Sequence, residues 1–242
     1  MRKKLLLLFF SVSLWLHAFD IETFDRTNAF ALGNELMNFS FGMHKIDSDG
    51  LNTASAVVGI HGSNSEGYEW VYPLWKLNEE TNSVYFYRWD DQQCANQQNK
   101  IFLQAVEETI SYNPSLNKIT ILAHSYGGLL LLHSLEDLNV LVNKMGRSIE
   151  IEVHFIAALL SPPKALEVSC SIKSPPQLFK NLKIFNWKTI KEIDGAFRSY
   201  QYDPQDIRIT NSKQTRLPEN YNGKKLGHNW SISWVADQLK PE

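Results

Sequence analysis

The sequence predicts an α/β fold in which helices cover both faces of a mostly parallel sheet. Two observations lead to this prediction. Short, nearly continuous apolar runs at 54–60, 83–89 and 119–122 are typical of parallel strands that are buried on both faces. Segments with apolar residues at helical spacing, such as 101–111, alternate with these runs along the chain.

The first half of the chain contributes five predicted elements. Strand character is read from β-branched and aromatic runs, and helices are read from apolar residues three and four apart. The elements are a strand at 34–47, a strand at 54–60, a helix at 69–77, a strand at 83–89 and a helix at 101–111. A turn is expected at 48–50, and Asn113-Pro114 ends the last of these helices.

The second half continues the alternation. Its predicted elements are a strand at 119–122, a helix at 127–135, strands at 148–160 and 182–187, a weaker strand at 206–210 and a helix at 230–239. The stretch 162–181 predicts a loop or a short excursion, and it is too short for a large helical cap. The loops after Ile60, Leu122 and Trp187 leave the carboxyl ends of their strands, where ligands of such sheets bind.

The first 18 residues predict a signal peptide. Basic residues at 2–4 precede an apolar run at 5–16, and Ala18 is a small residue suited to cleavage before Phe19. This run is shorter than the ~20 residues that a membrane span needs, which favours a cleaved signal over an uncleaved anchor. We therefore expect one domain over 19–242, with no stable membrane span, exported to the periplasm or secreted.

The charge balance argues against one class of partner. The chain has 24 Lys and Arg residues against 26 Asp and Glu residues. Without the leader the basic count falls to 21, so the net charge is near −5. Such a chain is not predicted to bind nucleic acid or an anionic membrane through general charge. The sequence leaves the oligomeric state open.

Export would place Cys94 and Cys170 in an oxidising compartment, where a disulfide is allowed. Their pairing would close a loop of about 76 residues, worth at most ~4 kcal/mol in the chain-entropy model. Two free thiols are the alternative. The cysteines do not have the spacing of a zinc site, so no metal is predicted.

The stretch 118–132, KITILAHSYGGLLLL, combines a strand, a tight turn with one serine and the start of a helix. Ala123 and Gly127 lie two residues before and two after Ser125. Small residues at these positions allow a strained turn to lift a serine hydroxyl above the sheet edge, as in a nucleophile elbow. The usual first glycine is replaced by alanine here. The alternative is a buried turn whose serine caps the following helix.

Four segments together resemble the α/β-hydrolase superfamily, and within it small lipase- or esterase-like members. They are VVGIHGSNS at 57–65, ITILAHSYGGLLL at 119–131, HFIAALLSPP at 154–163 and GHNW at 227–230. The resemblance covers roughly 55 to 235. It implies the α/β-hydrolase fold, Ser125 as the nucleophile of an acyl-enzyme, and no cofactor.

A serine hydroxyl is a poor nucleophile at neutral pH and needs a base. In the α/β-hydrolase arrangement the base follows the serine in the chain, which leaves three histidines. His133 lies two helical turns beyond Ser125, and His154 lies inside a strand as a core residue would. His228 lies in a glycine-marked loop just before the last helix, so we expect it to be the base.

The base needs an acid that accepts the Nδ1 proton and fixes the tautomer. Asp194 follows the strand at 182–187 in an Asp-Gly turn and is the predicted acid. The alternatives are Glu192, Asp203 and Asp206.

An oxyanion hole requires two donors near the reacting carbonyl. The Tyr126 backbone N–H follows the serine directly, and we assign the second donor to the Ser63 backbone N–H in the His-Gly loop. Gly62 is the adjacent candidate for the second donor. An ordinary glycine turn is the alternative interpretation of this loop.

These residues predict an exported serine hydrolase that cleaves carboxylic esters of lipids or other small molecules. An acyltransferase of the same fold and a catalytically inactive binding protein are the alternatives. Six aromatic residues near the predicted loops would line an acyl pocket or belong to the core. They are Tyr68, Trp70, Trp89, Tyr126, Trp187 and Phe197.

Overall fold

A computed structural model of the chain describes residues 20–21, 26–47, 53–170, 172 and 182–240. Their main feature is a seven-stranded sheet in the order β1-β3-β2-β4-β5-β6-β7. The strands are β1 Gly42–Lys45, β2 Ser55–Ile60, β3 Asn82–Arg88, β4 Lys118–His124, β5 Glu150–Ile156, β6 Leu182–Lys188 and β7 Lys213–Arg216. Only β1 runs antiparallel to its neighbour within this sheet.

Helices cover both faces of the sheet. They are α1 Ala29–Met37, α2 Tyr68–Lys76, α3 Ala95–Tyr112, α4 Tyr126–Lys144, α5 Lys164–Cys170 and α6 Trp230–Leu239. Short 3-10 helices span Arg26–Asn28 and Lys191–Ile193. The hairpin β8 Asn220–Tyr221 and β9 Lys224–Lys225 precedes the loop that carries His228.

Two apolar clusters lie on opposite faces of the sheet. Alternate residues of a strand enter different clusters, as a period of two requires. Ile121 of β4 packs with side chains of α3 and α4, whereas the next residue, Leu122, packs with side chains of α2 and α6. Because both faces are buried, these strands are nearly continuous apolar runs in the sequence.

The register brings the carboxyl ends of the central strands to one edge. Ile60 lies opposite Ala123, and His124 lies opposite Ile156. Ile156 in turn lies opposite Trp187. The prediction that the loops after β2, β4 and β6 leave the same edge is confirmed.

Most predicted elements are confirmed, and the helix at 230–239 has the predicted bounds. The helix predicted at 101–111 begins six residues earlier, at Ala95. The residues at 95–100 are mostly polar, so they show no apolar residues at helical spacing. The first turn of α3 is instead stabilised by a residue distant in the sequence. The Tyr126 hydroxyl accepts a hydrogen bond from the Ala95 backbone N–H at 3.1 Å.

Two strand predictions were wrong. Residues 34–37, predicted as strand, form the last turn of α1, because Gly33 and Leu36 are buried on one face of that helix. The segment 206–209 is irregular, and the strand beside β6 is β7. β7 is a largely exposed edge strand with the sequence KQTR, so it carries no apolar signal.

Several predictions fall outside the described residues. These are the signal peptide at 1–18, the turn at 48–50 and most of 171–181. The division into a leader and a single domain over 19–242 therefore stays a prediction. In the part of the chain that the structure describes, no helix is long and apolar enough to cross a membrane.

The two cysteines are joined. Cys94, which precedes α3, forms a disulfide with Cys170 at the end of α5. The Asn96 side-chain amide also donates to the Cys170 carbonyl oxygen at 2.7 Å. The connection between β5 and β6 is thereby attached to the α3 N-terminus.

We predict that the double variant Cys94→Ser, Cys170→Ser has a lower free energy of unfolding, by up to about 4 kcal/mol. The loop closed by the disulfide spans 76 residues of separation, so its removal releases much chain entropy in the unfolded state. Urea denaturation with and without a thiol reductant measures the effect. The reduced wild type should match the variant, and equal midpoints for oxidised wild type and variant would contradict the prediction.

Candidate active site

Ser125 lies in a strained turn between β4 and α4. Its backbone has φ 53° and ψ −122°, in a region that non-glycine residues rarely occupy. Two backbone hydrogen bonds connect Ser125 to the end of β5 and to the segment that follows it. The Ser125 N–H donates to the Ile156 carbonyl oxygen at 3.2 Å, and the Leu159 N–H donates to the Ser125 carbonyl oxygen at 2.9 Å.

Glycines allow the backbone to pack closely around this turn. A Cβ on Gly127 would lie 2.4 Å from the His61 carbonyl oxygen, and one on Gly62 would lie 2.7 Å from the Ser125 Cβ. A Cβ on Gly62 would also lie 3.3 Å from the Ser125 Oγ. The loop after β2 therefore lies directly against the serine hydroxyl.

His228 and Asp194 are brought together although 34 residues separate them. The His228 Nδ1 lies 3.0 Å from the Asp194 Oδ2. The Asp194 side chain is fully buried, whereas 14% of the His228 side chain is exposed. His228 is also adjacent to the residue before Ser125, since its ring centroid lies 4.5 Å from that of His124.

Asp194 is held as a carboxylate by its hydrogen bonds. Burial alone would raise its pKa, but hydrogen bonding and attraction from His228, with smaller contributions from the Thr189 hydroxyl and the Ala196 N–H, outweigh burial. The resulting pKa lies below the ordinary value of an aspartate. The buried acid therefore accepts hydrogen bonds in its charged form.

The other candidate acids have different partners. Asp203 accepts hydrogen bonds from Arg216 and Gln205. Asp206 pairs with the Lys188 ammonium group at 2.9 Å, and its side chain is 60% exposed. The Glu192 side chain is 72% exposed. Asp194 is the acid that the structure places on His228.

The other two candidate bases lie away from the strand ends. His133 lies in the second turn of α4, and His154 is buried within β5. The His154 Nδ1 accepts a hydrogen bond from the Trp187 indole N–H at 3.0 Å. The interpretation of His154 as a core residue is confirmed.

The two predicted oxyanion donors belong to the segments that flank the serine turn, the start of α4 and the loop after β2. Tyr126 is the first residue of α4, where backbone N–H groups have no partner within the helix. Ser63 follows Gly62 in the loop after β2. That loop is anchored at both ends, because the His61 carbonyl accepts from the Trp89 indole at 2.9 Å and the Asn64 N–H donates to Asp91 at 2.6 Å.

Solved structures match this fold, among them the following two. Est1E from Butyrivibrio proteoclasticus superimposes with a TM-score of 0.58 at 11% identity, covering 82% of this chain and 90% of that chain. A protein from Xanthomonas campestris, described as an α/β serine hydrolase without a lid, gives a TM-score of 0.51 at 11% identity. It covers 82% of this chain and 84% of that chain. The chain has the α/β-hydrolase fold.

No protein-family model and no curated protein matches the sequence. The assignment to the α/β-hydrolase fold therefore rests on the arrangement of strands and helices. The order of serine, aspartate and histidine along the chain also agrees with this fold.

One neighbour of the histidine was not predicted from the sequence. His124 is buried, and its Nε2–H donates to the His228 carbonyl oxygen at 3.2 Å. Burial lowers the pKa of His124 well below its ordinary value, so the ring is neutral and can hold the His228 loop without adding charge. The sequence did offer a signal for this role, because His124 directly precedes the serine of the elbow.

A cavity of about 310 Å³ lies beside the His228 loop, between the N-terminal ends of α2 and α6. Tyr68 and Trp230 contribute aromatic walls, and the Asn229 amide donates to the Tyr68 hydroxyl at 2.8 Å. Of the six aromatic residues considered for an acyl pocket, Tyr68 lines this cavity. The other five are buried in the core or packed against it.

Among the described residues, no three His, Cys, Asp or Glu side chains are grouped so that they could hold a metal ion.

We predict that Gly127→Ala lowers the free energy of unfolding by about 1–3 kcal/mol, because the new Cβ must displace the His61 backbone. Urea denaturation measures the loss. Gly227→Ala is the matched control, since its Cβ would meet no atom within 4 Å. Equal stabilities for the two variants would contradict the packing described around Ser125.

We predict that Asp194 contributes a pH-dependent stability. Because its folded pKa is lowered, the unfolded state binds more protons between the folded and unfolded pKa values. The contribution is therefore complete above the ordinary value of about 4 and is lost as the pH falls through the folded pKa. The stability difference between wild type and Asp194→Asn should shrink on acidification below about pH 4. A difference that grows there would contradict the assigned pKa direction.

Proposed function

We propose that the protein is a serine hydrolase that cleaves carboxylic esters through an acyl-enzyme on Ser125. The observation that carries this proposal is the hydrogen bond between His228 and the buried Asp194. The His228 ring also lies against His124, which directly precedes the serine of the strained elbow. An acid, a base and a nucleophile in this relation form the arrangement that activates a serine hydroxyl.

In the proposed reaction the Ser125 Oγ attacks the ester carbonyl carbon while its proton moves to the His228 Nε2. The tetrahedral intermediate then collapses, and the alcohol leaves with that proton. Water attacks the acyl-enzyme, again giving a proton to His228, and the carboxylic acid is released as Ser125 regains its proton. Asp194 holds the Nδ1–H of His228 and stabilises the imidazolium that forms in each half of the cycle.

The backbone N–H groups of Tyr126 and Ser63 are the proposed donors to the oxyanion. Each donor of this kind can lower the barrier by a few kcal/mol, since the negative charge on the oxygen develops only in the transition state. The position of Gly62 against the Ser125 hydroxyl supports this assignment.

The cavity beside the His228 loop is the proposed site for part of the substrate. It has room for a small group, its aromatic walls suit an acyl chain or an apolar alcohol, and the carboxyl group of Glu69 in its lining disfavours an anion. Among the described residues, the connection from β5 to β6 contains only the short helix α5. This supports an open site that admits small-molecule or lipid esters.

We also propose that the protein is exported. The basic and apolar segments at 2–16 and the residue at 18 support this. The Cys94–Cys170 disulfide supports it as well, because such bonds persist in oxidising compartments.

An inactive binding protein is the less favoured alternative. That interpretation would gain support if no acid lay within reach of His228, whereas Asp194 lies at 3.0 Å. Acyl transfer to an alcohol uses the same residues. A burst of acyl-enzyme, followed by partition of the product between water and added alcohol, separates transfer from hydrolysis.

We predict that a fluorophosphonate probe labels wild type and fails to label Ser125→Ala and His228→Ala. Asp194→Asn should lower kcat for a chromogenic ester by about 10³–10⁴-fold, as expected when the base loses its orienting acid. Asp206→Asn is the matched control and should retain wild-type activity, because Asp206 pairs with Lys188 at the surface. An unlabelled but correctly folded wild type would contradict the proposed function.

A series of chromogenic esters with increasing acyl-chain length would then define the substrate class. If the 310 Å³ cavity holds the acyl chain, kcat/KM should rise with chain length and fall once the chain exceeds the cavity. Tyr68→Ala should shift that optimum without abolishing activity on the shortest ester.

A further inference from the structure

The proposed reaction does not use His61, although this histidine is fully buried at the edge of the sheet that carries the site. Its ring packs against the buried rings of Phe86 and Trp89, and both of its nitrogens have polar partners. Its Nδ1 lies 2.8 Å from the Gly62 carbonyl oxygen. Its Nε2 lies 3.2 Å from the Trp89 backbone nitrogen and 3.1 Å from the Arg88 Nη1.

These contacts determine where the His61 proton lies. The Trp89 backbone N–H and the Arg88 guanidinium can only donate, so the Nε2 must accept. The proton is therefore on Nδ1, which donates to the Gly62 carbonyl oxygen. Burial lowers the pKa of His61 to about 4, so the ring stays neutral in this tautomer at neutral pH.

The hydrogen bond to Gly62 also determines how the next peptide is oriented. A trans peptide is planar, and its C=O and N–H groups point in opposite directions. The chain has no cis peptide bond among its described residues. Because the Gly62 carbonyl points to the His61 ring, the Ser63 N–H points away from that ring.

Such an orientation needs a restraint, because glycine has wide conformational freedom. Rotation about the bonds on either side of the Gly62–Ser63 peptide would exchange its C=O and N–H directions. The exchange would present a carbonyl oxygen in place of an oxyanion donor. Gly62 cannot be replaced by a more rigid residue, since a Cβ there would lie 2.7 Å from the Ser125 Cβ.

We propose that His61 is a positioning residue that holds the Gly62–Ser63 peptide with its N–H directed toward the oxygen of the reacting ester. The inference deepens the proposed function and rests on it. Arg88 and Trp89 support His61 by occupying its Nε2, and Arg88 itself is fixed through donation to the Met37 carbonyl oxygen at 3.1 Å. His61 touches no reacting atom and acts through the Ser63 N–H.

The test compares His61→Leu with His61→Asn. The asparagine side-chain amide carries a donor at the position of the His61 Nδ1, whereas leucine carries none. We expect His61→Leu to lower kcat by at least about 10-fold with KM changed less than about 3-fold, because a misdirected donor acts only in the transition state. His61→Asn should recover most of that loss.

A second readout separates positioning from stability. An alkyl trifluoromethyl ketone forms a tetrahedral adduct on the serine and places an oxyanion in the proposed hole. Across wild type, His61→Asn and His61→Leu, its inhibition constant should weaken in proportion to the loss of kcat/KM. His154→Leu, at another buried histidine away from the site, should lose stability without changing kcat.

The possible outcomes separate the role of His61 from the proposed function. If wild type is labelled by fluorophosphonate and folded His61→Leu keeps wild-type kcat, the role of His61 is wrong while the proposed function stands. If His61→Leu does not fold, His61→Asn and His61→Gln decide, and equal kcat in both would overturn the inference. An inactive wild type would overturn the proposed function itself.

Discussion

Close packing of backbone around Ser125 is the constraint on which the rest of the site depends. Helix α4 can start directly after the serine only because Gly127 lies against the His61 carbonyl, where a Cβ would be 2.4 Å away. Gly128 likewise lies against Ala158, whose Cβ would be 2.4 Å from an added side chain. The turn thus brings the ends of β2, β4 and β5 into contact. Ser125 keeps its unfavourable φ because these contacts hold the backbone on both sides of it.

The electrostatic arrangement follows from this packing. The acid is fully buried, and burial by itself would neutralise a carboxylate. The charge is kept because hydrogen bonds from His228, Thr189 and Ala196 all reach the Asp194 carboxylate. On the other side of His228, His124 is buried and neutral and supports the loop through a carbonyl. Asp194 is therefore the carboxylate that is hydrogen-bonded to the base, as is needed to stabilise an imidazolium that forms during a cycle.

The sequence predicted the parts of the fold whose physics is local or periodic. The central strands are buried on both faces, so they are visible as apolar runs, and the α6 amphipathic pattern gave its bounds correctly. Tertiary contacts decided the rest. The polar start of α3 depends on the Tyr126 hydroxyl, and β7 is a polar edge strand that pairs only because β6 lies beside it. The hairpin β8–β9 did have a signal, Asn222-Gly223 with positive φ at both residues, which the interpretation missed.

The same distinction explains which site residues were predictable. Ser125 is part of a local pattern, and His228 follows from chain order. The Asp-Gly turn favoured Asp194 as the acid, but only the contacts separate it from the other acids in 192–206. Asp203 and Asp206 carry the same carboxylate as Asp194, but basic partners hold them elsewhere. Tyr126 connects the serine turn to the start of α3. Its backbone N–H is a proposed oxyanion donor, and its hydroxyl accepts from the first N–H of α3, next to Cys94. The disulfide is therefore attached to the same helix end that the Tyr126 hydroxyl contacts, through Ala95 N–H and the Gln93 carbonyl oxygen, so the covalent link and the proposed donor residue meet at the start of α3.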